Sequence, residues 1–272
     1  MTRNTLSIGN ARLTRVSYAE VELEPAVLTL TVEEIDAAPW AQGSWAAGEQ
    51  GKASASVWII ESGDARIAVD PAGAADDILR NDNDAAAHQQ AFAALLADAG
   101  FPRETITHAI ATHLDGIGMF AWRNDDGSWT RFFPNAPLLM SQRELDWIDH
   151  DAPFELSGKE VLAELRAQGA VKVVTGDHER VTDEVSLEFT GGHSGGHQIV
   201  RIDAGSEHAV MLGHLALNPL QLAQESDPNH PDPEAVIALR RKLVAEDAVL
   251  IGPLWPTPGA GRWDGERLIP LG

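Results

Sequence analysis

Apolar residues in this chain fall into short runs, some continuous and some alternating with polar ones, punctuated by glycine, asparagine and aspartate. Val57-Trp-Ile-Ile60 and Ala65-Arg-Ile-Ala-Val69 read as two strands of a hairpin turning through Ser62-Gly63-Asp64. Phe92, Leu95 and Leu96 recur at helical spacing on one side of a segment that Asp82-Asn-Asp84 can cap and that ends at Ala99 before Gly100. Ser141-Gln-Arg-Glu144 has the spacing of a capping box and opens a helix through Trp147; a further helix runs from about Lys159 to Gln168 and stops at Gly169. The second half repeats this grammar. Val171–Val174, Val185–Phe189, Gln198–Ile202 and Ala209–Leu212 are strand candidates. Asp232-Pro233-Glu234 then starts a helix to about Glu246, with Pro233 in the first turn, where its missing N–H costs little, and Val249–Ile251 returns as a strand. Strands followed by helices in two halves, with no low-complexity linker between them, predict two sheets packed between outer helices. Residues 1–50 read as less regular, with Trp40 and Trp45 as apolar anchors.

Chemistry concentrates where strands meet loops. The run Ala109–Thr112 ends in His113-Leu-Asp115, the glycine turn of 190–197 carries His193, and Val210–Gly213 ends in His214. Each junction delivers one imidazole. His88, His150, His178, His208 and His230 have no such setting and are assigned no role; His108 reads as a strand residue, and His197 as a hydrogen-bonding partner of its own turn.

At these positions the chain resembles the metallo-β-lactamase superfamily, in particular its lactonase-like and organophosphate- or ester-cleaving branch. Members read T-H-x-H-x-D-H-x-G, T-P-G-H-T-P-G-H, G-D-x-x-H-x-P-x-Q and G-T-H-F-P-x-P-G-x-G-R in that order. This chain has THLDGIG at 112–118, TGGHSGGH at 190–197, GHLALNPLQ at 213–221 and GPLWPTPGAGR at 252–262. The resemblance implies an α/β fold of four αββα layers over residues 51–272. It also implies an amino-terminal extension, residues 1–50, that contributes to dimer contacts and pocket walls.

The departures from the family pattern shape the functional expectation. Active relatives hold two metal ions with about seven protein ligands. Here the first motif is two residues short if Asp115 is matched to the family's aspartate, which leaves Gly116 in a histidine's place. Without that gap Asp115 falls on the second histidine and Ile117 on the aspartate. His214 replaces the bridging aspartate and Leu254 the last histidine. The losses gather on the second metal, while His113, His193 and His214 remain for the first. Three neutral imidazoles suit one zinc ion with an open position. Asp115 is then a fourth ligand, a residue orienting an imidazole, or the general base. The catalytic set expected is His113, Asp115 and His193. The expected pocket is apolar, lined by Met119, Phe120, Trp122, Leu215, Leu254 and Trp255.

Composition narrows the partners. At 272 residues and 44% hydrophobic content the chain can bury a substantial core, and with no cysteine any metal must rest on histidine and carboxylate. A formal charge of −21 repels phosphate backbones and argues against nucleic acid as substrate. No run of 18 apolar residues exists and MTRNTLSIGN lacks the apolar centre of a signal peptide, so a cytoplasmic protein away from membranes is expected. The expected function is hydrolysis of a small apolar ester, lactone, aryl ether or phosphoester with one zinc ion or none, in a homodimer or with a paralogue. The alternatives are a metal-free scaffold subunit that assembles with itself or an active paralogue, and metal-independent hydrolysis by Asp115 with His193.

Overall fold

The computed structural model describes residues 4–71, 85–152 and 158–271. The helix cap expected at Asp82–Asp84 lies outside the described residues. The first sheet contains β1 (Asn4–Ile8), β2 (Ala11–Leu23), β3 (Ala46–Ala47), β4 (Gln50–Ser62), β5 (Ala65–Val69) and β6 (His108–Ile110). After a small ribbon of β7 (Ala121–Arg123) and β8 (Trp129–Arg131), it resumes with β9 (Leu138–Ser141) and β10 (Val171–Val174). Its order is β1-β2-β4-β5-β6-β9-β10, with β3 beside β4. The second sheet runs in sequence order through β11 (His178–Arg180), β12 (Val185–Phe189), β13 (Gln198–Ala204), β14 (Glu207–Met211), β15 (Val249–Ile251), β16 (Ala260–Trp263) and β17 (Leu268–Pro270).

Period-two alternation explains the layering, because successive strand side chains point to opposite faces. In β4, Trp58 and Ile60 turn inward between the sheets, whereas Val57 and Ile59 turn outward to the helices. In β13 and β14, Val200, Ile202, Ala209 and Met211 face the first sheet, and Ile199 and Val210 face away from it. The outer face of the first sheet packs beneath α2 (Ala85–Asp98), α3 (Gln142–His150) and α4 (Lys159–Ala167) through Phe92, Leu96, Leu145, Ile148, Leu162 and Leu165. The outer face of the second sheet is covered by α5 (Pro233–Val244), through Val236 and Leu243, and by residues 28–46 with α1 (Val32–Asp36). Helices, sheet, sheet and helices make the αββα sandwich.

Two expectations change. The amino-terminal stretch is not irregular: β2 pairs antiparallel with β4 from Arg12↔Glu61 to Leu23↔Gly51, around a bulge between Ser17 and Ala19. That bulge and the exposed outer half of β2 hide its alternation. Glu144 does not complete a capping box; Ser141 Oγ accepts the Arg143 N–H at 3.2 Å, and the Glu144 side chain turns into the protein. Among the described residues no helix is long and apolar enough to cross a membrane.

Strands β5, β6, β9 and β10 run parallel, as do β14 and β15. In parallel sheets, sites form in the loops beyond the carboxyl ends of strands. The loops after β6 and β14 leave from such ends, and the β12–β13 turn joins them. Ile60 is fully buried between the sheets. Ile60→Ala is expected to lower unfolding free energy by about 2–5 kcal/mol, the usual cost of truncating a core isoleucine, as measured by denaturant titration.

Candidate metal centre

The three loops bring one donor each to a common point, and Asp115 adds a carboxylate. Ligand atoms of His113, Asp115, His193 and His214 all lie within 4.8 Å of one another. His113 Nε2 is 2.9 Å from His214 Nδ1 and 3.1 Å from Asp115 Oδ2. His214 Nδ1 is 2.9 Å from Asp115 Oδ2, and His193 Nε2 is 3.8 Å from Asp115 Oδ1. A tetrahedral zinc ion with bonds near 2.0–2.1 Å separates its ligand atoms by about 3.3 Å, so the donor set fits one such ion in both spacing and chemistry.

Buried carboxylates aim the loops. At the end of β5, Asp70 accepts the Thr112 N–H at 2.8 Å and the Thr112 hydroxyl at 2.6 Å. With that proton committed, Thr112 Oγ1 accepts from His113 Nδ1 at 2.9 Å, which turns Nε2 toward the centre. Glu144, 1% exposed, accepts from the Leu114 N–H, the Gly196 N–H and the Ser194 hydroxyl, so one side chain of α3 ties the 113–118 loop to the 190–197 turn. Ser194 is thereby a strut, not a nucleophile. Burial pushes both Asp70 and Glu144 above the ordinary carboxylate range despite these bonds. Gly196 is obligatory, since a Cβ there would sit 1.9 Å from the Glu144 backbone nitrogen. Gly213 has φ of 55°, and a Cβ on it would lie 2.4 Å from His197 Nε2. His197 bonds its own turn as expected, with Nδ1 2.7 Å from Thr190 Oγ1.

Electrostatics leave the imidazoles unequal. Burial lowers the pKa of His193 to about 3 and also lowers His214 and His197. Burial acts the same way on His113, but Asp115, Asp70 and Glu144 outweigh it and raise its pKa to about 9. Burial opposes ionisation of Asp115 as well, yet the charge of His113 and the imidazoles crowded around it hold its carboxyl far below the usual range. Asp115 therefore stays ionised, and His193 and His214 are neutral imidazoles at the centre.

The centre forms the floor of a cavity of about 340 Å³. Val21, Leu23 and Val27 from the amino-terminal segment, Ala53 and Ala55 from β4, and Leu217 and Leu254 from loops make its apolar wall. Of the six pocket residues expected from sequence, Leu254 lines this cavity. The others sit elsewhere: Met119 and Phe120 are buried beneath α2 and α3, Trp122 packs on that same cluster under the Arg103 guanidinium, and Leu215 and Trp255 are buried beyond the second sheet. They follow the motif positions in sequence, but the backbone turns each back into the core. Ile117, in the first motif, is fully buried among the first-sheet core residues. Asp115 sharing one point with three imidazoles is the place that the ungapped reading gives to the motif's second histidine.

Two residues of the cavity were passed over in the sequence. His230 Nδ1 is 3.0 Å from His193 Nδ1, and His230 Nε2 is 3.0 Å from Asp227 Oδ2. Asp227, 0% exposed, also pairs with buried Arg240. The spacing Asp227-x-x-His230 was the available signal.

No model of a protein family matches the sequence, and no curated protein resembles it closely enough to match. Solved structures do. AidC, a dizinc quorum-quenching lactonase in complex with a homoserine product, superposes with a TM-score of 0.73 at 16% identity over 99% of this chain and 97% of its own. The hydrolase AbOPH of the beta lactamase superfamily gives 0.73 at 16% identity over 99% and 97%. The chain has the metallo-β-lactamase fold. A probable metal-dependent hydrolase from Staphylococcus aureus shares this metallo-β-lactamase architecture, with a TM-score of 0.69 at 15% identity over 97% and 96% of the two chains.

Two outcomes follow for the supports of this site. Gly196→Ala must displace the first turn of α3 and is expected to cost about 1–3 kcal/mol of unfolding free energy in denaturant titration. Asp227→Asn strips buried Arg240 of its counter-charge, with an expected cost of about 3–5 kcal/mol near neutral pH. Burial alone would raise the Asp227 pKa, but His230 and Arg240 hold it well below the 3.8 of an ordinary aspartate. The stabilisation from its charged form is thus complete above pH 3.8 and is lost as pH falls below that value. Unfolding measured across pH should show the gap between wild type and Asp227→Asn narrowing only on the acid side.

Proposed function

We propose that this protein hydrolyses a small apolar ester, lactone, aryl ether or phosphoester using a single zinc ion held by His113, His193 and His214, with Asp115 beside it. The convergence of four donor atoms at the floor of an apolar cavity carries this reading. A zinc ion there would supply Lewis acidity toward a carbonyl or phosphoryl oxygen and lower the pKa of water. One ion, not two, is favoured by the side chains at the remaining motif positions: Ile117 is buried in the core and Leu254 is part of the wall, and neither offers a ligand atom.

The chain's own residues divide the work. His113, His193 and His214 present ring nitrogens from three loops, the first two of them clamped together by Glu144. Asp115 is 53% exposed on its side chain, toward the cavity, and stays ionised, so it accepts a hydrogen bond from water on the floor and directs the water's lone pair at the substrate. Val21, Leu23, Val27, Leu217 and Leu254 hold the apolar body of the substrate and exclude bulk water. The acidic surface, formal charge −21, disfavours anionic polymers as substrates.

Zinc loading followed by elemental analysis is expected to give one ion per chain. Chelation is expected to abolish hydrolysis of a panel of aryl esters, lactones and phosphotriesters, and zinc to restore it. His214→Ala, which removes one of three imidazoles, is expected to lower turnover at least 100-fold and to weaken zinc binding. No uptake of zinc, or activity that survives exhaustive chelation, contradicts the proposal.

A further inference from the structure

We infer that His230 is a positioning residue that fixes the tautomer of His193 through a proton relay ending on buried Asp227. This rests on the reading of His193 as a metal ligand. The polarity of the relay follows from its distances. Asp227 Oδ2 already accepts from Arg240, and Thr29 Oγ1 lies 2.8 Å from Oδ1, so the carboxylate is anchored from two other segments of the chain. His230 Nε2 is 3.0 Å from Oδ2. A lone pair there would face a carboxylate, whereas a proton there makes a charge-assisted hydrogen bond. Arg240 Nη2 also lies 3.2 Å from His230 Nε2, but the carboxylate oxygen is the nearer neighbour at 3.0 Å and itself accepts from Nη2, so Arg240 does not reverse this assignment.

With the proton on Nε2, the Nδ1 of neutral His230 is an acceptor. His193 Nδ1, 3.0 Å away, must then carry its own proton and donate it. The competing arrangement places the His193 proton on Nε2, where the nearest carboxylate oxygen, Asp115 Oδ1, is 3.8 Å away, beyond hydrogen-bond reach. The relay thus leaves the Nε2 lone pair of His193 free at the point shared with His113 and His214. It does for His193 what Asp70 and Thr112 do for His113, from the opposite side of the centre. His230 is 9% exposed, at the cavity edge, and the relay also holds its ring there.

The test is a long-range proton–nitrogen correlation spectrum of histidine-labelled protein without metal at neutral pH, joined to zinc affinity by chelator competition. Wild type is expected to show His193 as the Nδ1–H tautomer. His230→Phe, which keeps a ring but cannot accept, is expected to lose that signature and to bind zinc about 10–100-fold more weakly. His230→Gln, whose amide can accept from His193 and donate to Asp227, is expected to recover most of both. Wild-type His193 protonated on Nε2, or a His230→Phe protein with unchanged tautomer and affinity, overturns the inference. If wild type shows the Nδ1–H form and His230→Phe loses it, yet neither binds zinc, the relay stands and the metal-dependent function falls. Should His230→Phe fail to fold, the wild-type spectrum and the His230→Gln protein still decide.

Discussion

The centre depends on one constraint: donors on loops distant in sequence must point their lone pairs at one spot, although nothing in the loops themselves holds them there. Buried carboxylates meet it. Asp70 fixes the first loop through Thr112, Glu144 clamps that loop to the glycine turn, and Asp227 reaches His193 through His230. Each is almost wholly withdrawn from water and surrounded by donors. A buried carboxylate without such partners would cost several kcal/mol, so each bond is part of what lets the acid remain inside, and the acid in turn fixes where its donors lie. Loop geometry and carboxylate burial are one arrangement.

The same logic explains why positions 117 and 254 can carry apolar side chains without disturbing the rest. The supports of His113, His193 and His214 run through Asp70, Glu144, Gly213 and Asp227, none of which depends on positions 117 or 254. Ile117 is free to join the first-sheet core, and Leu254 to become part of the cavity wall. An apolar wall beside an ionised Asp115 lowers the local polarity and strengthens the electrostatic interactions at the centre.

The layers were legible because strand alternation survives in β4, β13 and β14, where Trp58, Val200 and Met211 face the core between the sheets and Ile59, Ile199 and Val210 face the outer cores. The three imidazoles were legible because each follows an apolar run and a turn. β2 was not: its bulge shifts the register at Ser17/Ala19, and its outer half borders the cavity instead of a core. Five of the six pocket residues named from sequence lie outside this cavity, because proximity in sequence to His113 or His214 says nothing of which way a short helical turn, such as 118–120 or 213–215, sends its side chains. Glu144 looked like a helix cap because a capping box and a carboxylate aimed into the protein share one spacing. His230 had no local mark beyond Asp227, and what gives it meaning is His193, 37 residues away.

The amino-terminal segment is bound into this scheme more tightly than its sequence suggests. Thr29 adopts φ of 53°, an unfavourable conformation for a β-branched residue that persists only where the surroundings enforce it. Its hydroxyl lies beside Asp227, its carbonyl accepts from Gln224, and the neighbouring Leu28 carbonyl accepts from Gln221 and Gln224. Val27, two residues earlier, is part of the cavity wall. The cavity wall and the carboxylate that reaches His193 through His230 are therefore held by the same turn. Val27 is joined to the centre through Thr29, Asp227 and His230, a path whose last three members are linked by hydrogen bonds. The wall and the donor set are for that reason not separable by position in the chain, even though residues 27–29 and 227–230 lie far apart in sequence.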